Sequence, residues 1–161
     1  MAEPSSVIYG PAAENLFKGD IPDLSDVGTV IKMALLKDAY TPDQDHDNWG
    51  EISEHECDDD DYTDEGGAGE GVGGQEITDK KVDYATRVTT FDTDMTPKEV
   101  VFTEDGEITA RYAVIYYAHA TPASAKLLTL LDFGEEKSSA DGEFKITIHA
   151  DGMFTFTVTA L

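Results

Sequence analysis

This 161-residue sequence predicts a mainly β fold, an antiparallel β-sandwich or barrel with one or two short helices and a long acidic, glycine-rich loop. Three observations carry that expectation. Residues 97–161 are rich in Val, Ile, Tyr, Phe and Thr, the composition of strands. Apolar and polar residues alternate there with a period of two, so each strand has a dry side and a wet side. Glycine-containing breaks, Glu104-Asp105-Gly106 and Ala150-Asp151-Gly152, separate the alternating runs at hairpin spacing. The length suits one domain with a real core, read as residues 13–161, preceded by an N-terminal arm over residues 1–12.

Along the chain, Val7-Ile8-Tyr9 is a short strand-like patch stopped by Gly10-Pro11. Ala12 to Lys18 allows two helical turns, with Leu16 and Phe17 as the buried contact and Gly19 as the stop. Asp20 to Gly28 is loop. Thr29 to Leu36 is apolar on both faces, which predicts a central strand ended before Pro42. Asp47 to Glu56 predicts a short helix with Trp49 and Ile52 on one side. Ile77 to Asp92 reads as one long strand with a kink near Ala85-Thr86, where the alternation fails.

The C-terminal third predicts two hairpins of one design. A three-residue loop at Glu104-Asp105-Gly106 places Phe102 opposite Ile108 and Val100 opposite Ala110, so the apolar sides coincide. A two-residue loop would put them on opposite faces. Gly106 then takes the left-handed position, where glycine carries no Cβ penalty. The same logic at Ala150-Asp151-Gly152 pairs Ile148 with Phe154, Ile146 with Phe156 and Phe144 with Val158. Between the hairpins, Leu127 to Phe133 is apolar on both faces and is expected to be central.

Charge bounds the partners. The formal net charge is -23, and between Asp43 and Glu76 stand fourteen acidic residues with no Lys or Arg. Nucleic acid and anionic lipid headgroups repel such a molecule, so neither is an expected partner. Cations, basic protein surfaces and apolar protein surfaces remain. The 43–76 stretch is expected to be a solvated excursion, through Asp58-Asp59-Asp60-Asp61 into the glycines at 66–74. No apolar run approaches the length of a membrane-spanning helix. Met1 to Ser6 lacks the basic and apolar regions of a signal peptide, so the chain is expected to fold where it is made.

The candidate site for chemistry is Asp43 to Glu54. Asp43, Asp45 and Asp47 occupy positions 1, 3 and 5 of a calcium-loop spacing, and Glu54 occupies position 12. Ca2+ prefers hard oxygens at that spacing. Asn48 stands where the sharp turn usually has glycine, Gly50 stands where an apolar residue is usual, and the flanking helices are missing. The competing reading is that Asp45 or Asp47 caps a short helix while the other acids are solvated. Cys57, the single cysteine, lies between Glu56 and Asp58 and reads as a surface thiol. His46, His55, His119 and His149 do not fall in metal-ligand pairs. Arg111 interrupts an apolar strand among tyrosines and predicts a carboxylate partner within the chain, with a place at an interface as the alternative. No nucleophile motif or phosphate-binding loop stands out, so no catalytic residue is expected and the chain reads as a non-enzyme.

Several blocks carry a resemblance. Ile31-Lys32-Met33-Ala34-Leu35-Leu36, then Tyr40-Thr41-Pro42-Asp43 and an acidic stretch with Trp49, resemble the opening of a family of small tailed-bacteriophage virion proteins. Ile108-Thr109-Ala110-Arg111-Tyr112-Ala113-Val114-Ile115-Tyr116 resembles its most recognisable motif. Leu131-Asp132-Phe133-Gly134 and the block from Gly142 to Gly152 follow in the same order. The resemblance spans roughly residues 28–161. It departs at Asp61-Tyr62-Thr63-Asp64-Glu65-Gly66-Gly67, a more acidic version of a Gly-Tyr-Thr-x-Gly-Gly turn. It implies a non-enzymatic virion component: a head decoration or cement protein on the capsid exterior, made in the host cytoplasm. Its implied partners are the major capsid protein or another virion protein, and further copies of itself in a homotrimer. Two alternatives stand beside it, a tail- or fibre-associated binding module and a small calcium-binding β domain.

Overall fold

The computed structural model describes residues 5–57, 73–103, 107–139 and 143–157. The chain is mainly β, with antiparallel sheets in a β-sandwich-like arrangement and few helical residues. Its elements are β1 (Ser5–Ile8), α1 (Gly10–Lys18), β2 (Ile31–Leu36), two 3-10 turns (Trp49–Glu51 and Ser53–His55), β3 (Gln75–Glu76), β4 (Lys80–Ala85), β5 (Val88–Thr93), β6 (Glu99–Thr103), β7 (Ile108–Tyr117), β8 (Lys126–Ser139), β9 (Glu143–Thr147) and β10 (Phe154–Thr157). A five-stranded sheet runs β1-β8-β7-β2-β3, a three-stranded sheet runs β10-β5-β4, and β6 pairs with β9.

The strands apolar on both faces are interior, as their composition predicts. β2 is buried along its whole length and lies between β7 and β3. β8 lies between β1 and β7, with Leu127, Leu128 and Leu130 in the core. Arg111 finds its carboxylate within the chain: its Nε donates to Asp132 Oδ1 at 2.9 Å. The pairing skips there, from Ala110 opposite Lys137 to Tyr112 opposite Asp132, so β8 bulges. Asp132 Oδ1 also accepts the Gly134 N–H at 2.7 Å, so one carboxylate pins both sides of the bulge.

The N-terminal arm is corrected over residues 5–12. Ser5–Ile8 is an edge strand paired with Asp132 to Thr129 of β8. The helix begins at Gly10, because a first-turn proline loses no helical hydrogen bond. It stops at Gly19 as expected, and Leu16 packs half-buried against the core, but its buried residues are Ala12 and Asn15 and Phe17 is 93% exposed. Residues 47–56 form two 3-10 turns rather than one helix.

Residues 77–92 are a hairpin, not one kinked strand. The alternation fails at the turn itself, where Thr86 and Arg87 both have positive φ, 51° and 70°. That is the backbone of a two-residue turn matched to strand twist. The two predicted C-terminal hairpins are also overturned. β6 pairs with β9, placing Val100 opposite Ile146 and Phe102 opposite Phe144, while β7 pairs with β2 and β8. β10 pairs with β5, placing Phe154 opposite Phe91. Phe144 is buried while Phe156 is exposed, so the two do not share the expected apolar face. The turn at 149–152 does form, with the Gly152 N–H donating to the His149 carbonyl and Gly152 at φ +99°. The strands on either side of it join different sheets. The expected loop at 104–106 and the pairing of Phe144 with Val158 lie outside the described residues.

Candidate functional site

The acidic segment is built into the core at its start. Trp49 and Ile52 are fully buried, Cys57 is 2% exposed, and the indole of Trp49 stacks on Tyr116 with centroids 4.7 Å apart. The expectation of a solvated excursion from residue 43 is therefore corrected for 43–57, because these apolar side chains supply the burial that the acids cannot. Cys57 is not a surface thiol: its Sγ donates to the Thr109 carbonyl at 3.3 Å. The segment leaves and returns along one edge of β2. Cys57 donates its N–H to Leu35, while Gln75 and Glu76 pair with Met33 and Lys32. The acid run and most of the glycines, residues 58–72, lie outside the described residues.

The four candidate calcium ligands are not brought together. Asp47 Oδ1 accepts from Asn15 Nδ2 at 2.6 Å, and its Oδ2 accepts from Lys126 Nζ at 2.5 Å. It thereby ties α1, the acidic segment and β8 to one another. Burial alone would raise the Asp47 pKa, but the hydrogen bonds from Lys126 and Asn15 outweigh it and hold the carboxyl below its ordinary value. Asp43 Oδ1 accepts the Asp45 N–H at 2.9 Å, a local turn contact. Glu54 is exposed beside His55 at 3.6 Å. Asn48, not Asp45 or Asp47, is the N-cap of the first 3-10 turn, and Glu51 closes the capping box, its Oε2 accepting the N–H groups of Asp47 and Asn48 at 2.7 and 3.0 Å. Among the described residues no three His, Cys, Asp or Glu side chains gather as a metal-ligating group. His46 is hydrogen-bonded through Nδ1 to the Tyr40 hydroxyl at 3.0 Å, and that hydroxyl lies 3.2 Å from Tyr9.

Two surfaces that sequence reasoning missed are better defined. The first is a cleft of about 690 Å3 between the five-stranded sheet and β9. Its floor is apolar, with Met33, Ile115, Leu131, Phe144, Ile148 and Met153. The cations on its rim are matched to carboxylates on their own strands: Lys137 to Glu135 at 2.6 Å, and Lys145 to Glu143 at 2.8 Å. The hydroxyl–imidazole pair of Ser124 and His119, 2.9 Å apart, sits on an exposed turn away from that cleft. Ser124 Oγ donates to the Thr121 carbonyl at 2.9 Å, which makes it a turn staple.

The second surface is one face of the three-stranded sheet. Opposed residues share a face in an antiparallel sheet, so Val82, Phe91 and Phe154 lie in one row and Tyr84, Thr89 and Phe156 in the next. The first row is anchored by the buried Phe91 and Phe154, whose rings lie 5.2 Å apart. The second row is open, with Tyr84 70% and Phe156 38% exposed. The alternation signal was present in the sequence, but which strands it joins was not. No family model, curated protein or solved structure matches the chain.

Proposed function

We propose that this chain is a non-enzymatic virion structural protein of a tailed bacteriophage, a decoration or cement protein that binds the outer surface of an assembled head. The observation that carries the reading is the ordered series of family-like blocks, and where those blocks fall. Residues 31–36 are β2, residues 108–116 lie in β7, residues 131–134 lie in β8, and the block opening at Gly142 contains β9. The resemblance thus follows the scaffold strands. A rigid β scaffold with open apolar surfaces suits a protein whose work is to hold other proteins. The charge of -23 keeps such a protein off packaged nucleic acid and off anionic membrane. Its partners are the major capsid protein or another virion protein, and copies of itself in a homotrimer.

Locating the chain in intact particles tests this. Imaging with labelled antibody, and copy counting by quantitative mass spectrometry, should find many copies spread over the head exterior. A few copies confined to the tail would replace the decoration role with a tail-associated one. A particle without the chain would end the virion reading.

A further inference from the structure

The open face of the three-stranded sheet differs in charge from the rest of the molecule. In residues 80–91 three cations, Lys80, Lys81 and Arg87, stand against one acid, Asp83, in a chain of net charge -23. The cations divide by face. Lys81 points to the opposite side from Val82 and Tyr84, where Asp94 at 2.6 Å, Asp83 at 3.7 Å and Asp92 at 3.8 Å neutralise it. Lys80 shares its face with Val82 and Tyr84, and Arg87 is exposed at the turn. Among the described residues neither Lys80 nor Arg87 has an ion-pair partner. One face of the hairpin is therefore self-neutralised, and the other combines exposed apolar side chains with unmatched positive charge.

We propose that this face, Lys80, Val82, Tyr84, Phe156 and the Arg87 turn, is a self-association surface that docks on the acidic surface of a second copy of this chain. Charge complementarity selects the occupant. An apolar patch rimmed by cations fits an acidic protein surface, and this chain presents exposed carboxylates outside the hairpin's own residues, such as Asp43, Asp45 and Glu54. The net charge of each copy does not forbid the contact. At 0.15 M salt the Debye length is about 8 Å, so charges at the contact outweigh those on the far side of each copy. A cationic patch meeting an acidic one is a head-to-tail contact, and such contacts close into rings when the rotation permits. The proposal deepens the homo-oligomer part of the reading above, and it is tested on the isolated protein, so failure to bind a shell would not bear on it.

Sedimentation velocity of the full chain at physiological salt, across a broad concentration series, gives the test. The wild-type chain should form a concentration-dependent oligomer. Tyr84→Asp and Arg87→Glu should each raise its dissociation constant by about tenfold or more. Phe17→Asp, at an exposed apolar residue on α1, should leave it unchanged. Circular dichroism should be the same for all variants, and if Tyr84→Asp unfolds, the exposed Arg87→Glu still decides. A wild-type chain that stays monomeric overturns the proposal, as does an oligomer indifferent to both hairpin variants. A monomer that shifts only on adding duplex DNA overturns it in favour of a nucleic-acid surface.

Discussion

Asp47 shows how one side chain takes the part that its environment assigns. Its spacing from Asp43 and Asp45 fits a calcium ligand, yet its two carboxylate oxygens are already taken by Asn15 and Lys126. The amine sits on a side chain only 19% exposed, so removing the carboxylate leaves a partly buried charge without its partner. Asp47→Ala should therefore destabilise the protein by about 1–3 kcal/mol, measured by urea unfolding followed by Trp49 fluorescence. Millimolar calcium should leave the melting temperature of the wild-type chain unchanged, and a clear rise would restore the metal reading. Asp132 works similarly at the β8 bulge, where Arg111 and the Gly134 N–H share one oxygen. The arginine announced its need for a carboxylate in the sequence. Which carboxylate met it depended on the pairing of β7 with β8.

At the scale of elements, the acidic insertion is held by its two ends on one edge of β2. Its return depends on Gly74, which has φ +92°. A Cβ there would stand 2.3 Å from the Met33 carbonyl oxygen and 2.8 Å from the Met33 carbonyl carbon, both backbone atoms of β2. Neither can step aside without disturbing a central strand. Gly74→Ala should cost at least about 1–3 kcal/mol by denaturant titration, and protection of the Ile77 amide, which donates to Ile31, should fall in hydrogen exchange. A neutral Gly74→Ala variant would mean that β3 is not held as described. Nearby, the Tyr116 hydroxyl donates to the Gly73 carbonyl, which fastens the same return to β7.

For the whole molecule, two electrostatic effects oppose each other. Exposed acids repel one another at neutral pH, so lowering the net charge favours the compact state. Asp47, Asp92 and Asp132 act in the other direction. Burial alone would raise each, but Lys126 and Asn15 at Asp47, Lys98 at Asp92, and the Gly134 N–H with Arg111 at Asp132 hold each below its ordinary value. A folded pKa below the unfolded one contributes stability that is present above the unfolded value of about 3.9 and is lost as the pH falls through the folded value. The melting temperature should thus rise from pH 8 to a maximum near pH 5, then fall steeply below about pH 4. Added salt should raise it at pH 8 more than at pH 5, because only the former state carries the full repulsion. Calorimetry across pH checks both, and a stability that keeps rising below pH 4 would show that the three paired aspartates contribute nothing.

What the sequence by itself determined was the class of fold and the inward side of many segments. Alternation marked strands, double-faced apolar runs marked β2 and β8 as interior, and Gly19 marked the helix end. Arg111 marked an ion pair within the chain. Partnership between strands was decided only in three dimensions. An amphipathic strand encodes the face it buries, and many neighbours satisfy that demand equally well, so β6 and β7, adjacent in the chain, part company, as do β9 and β10. The same physics explains the acidic segment. Local charge argued for water, while Trp49, Ile52 and Cys57 had burial to gain only once β2 and β7 supplied a surface to receive them.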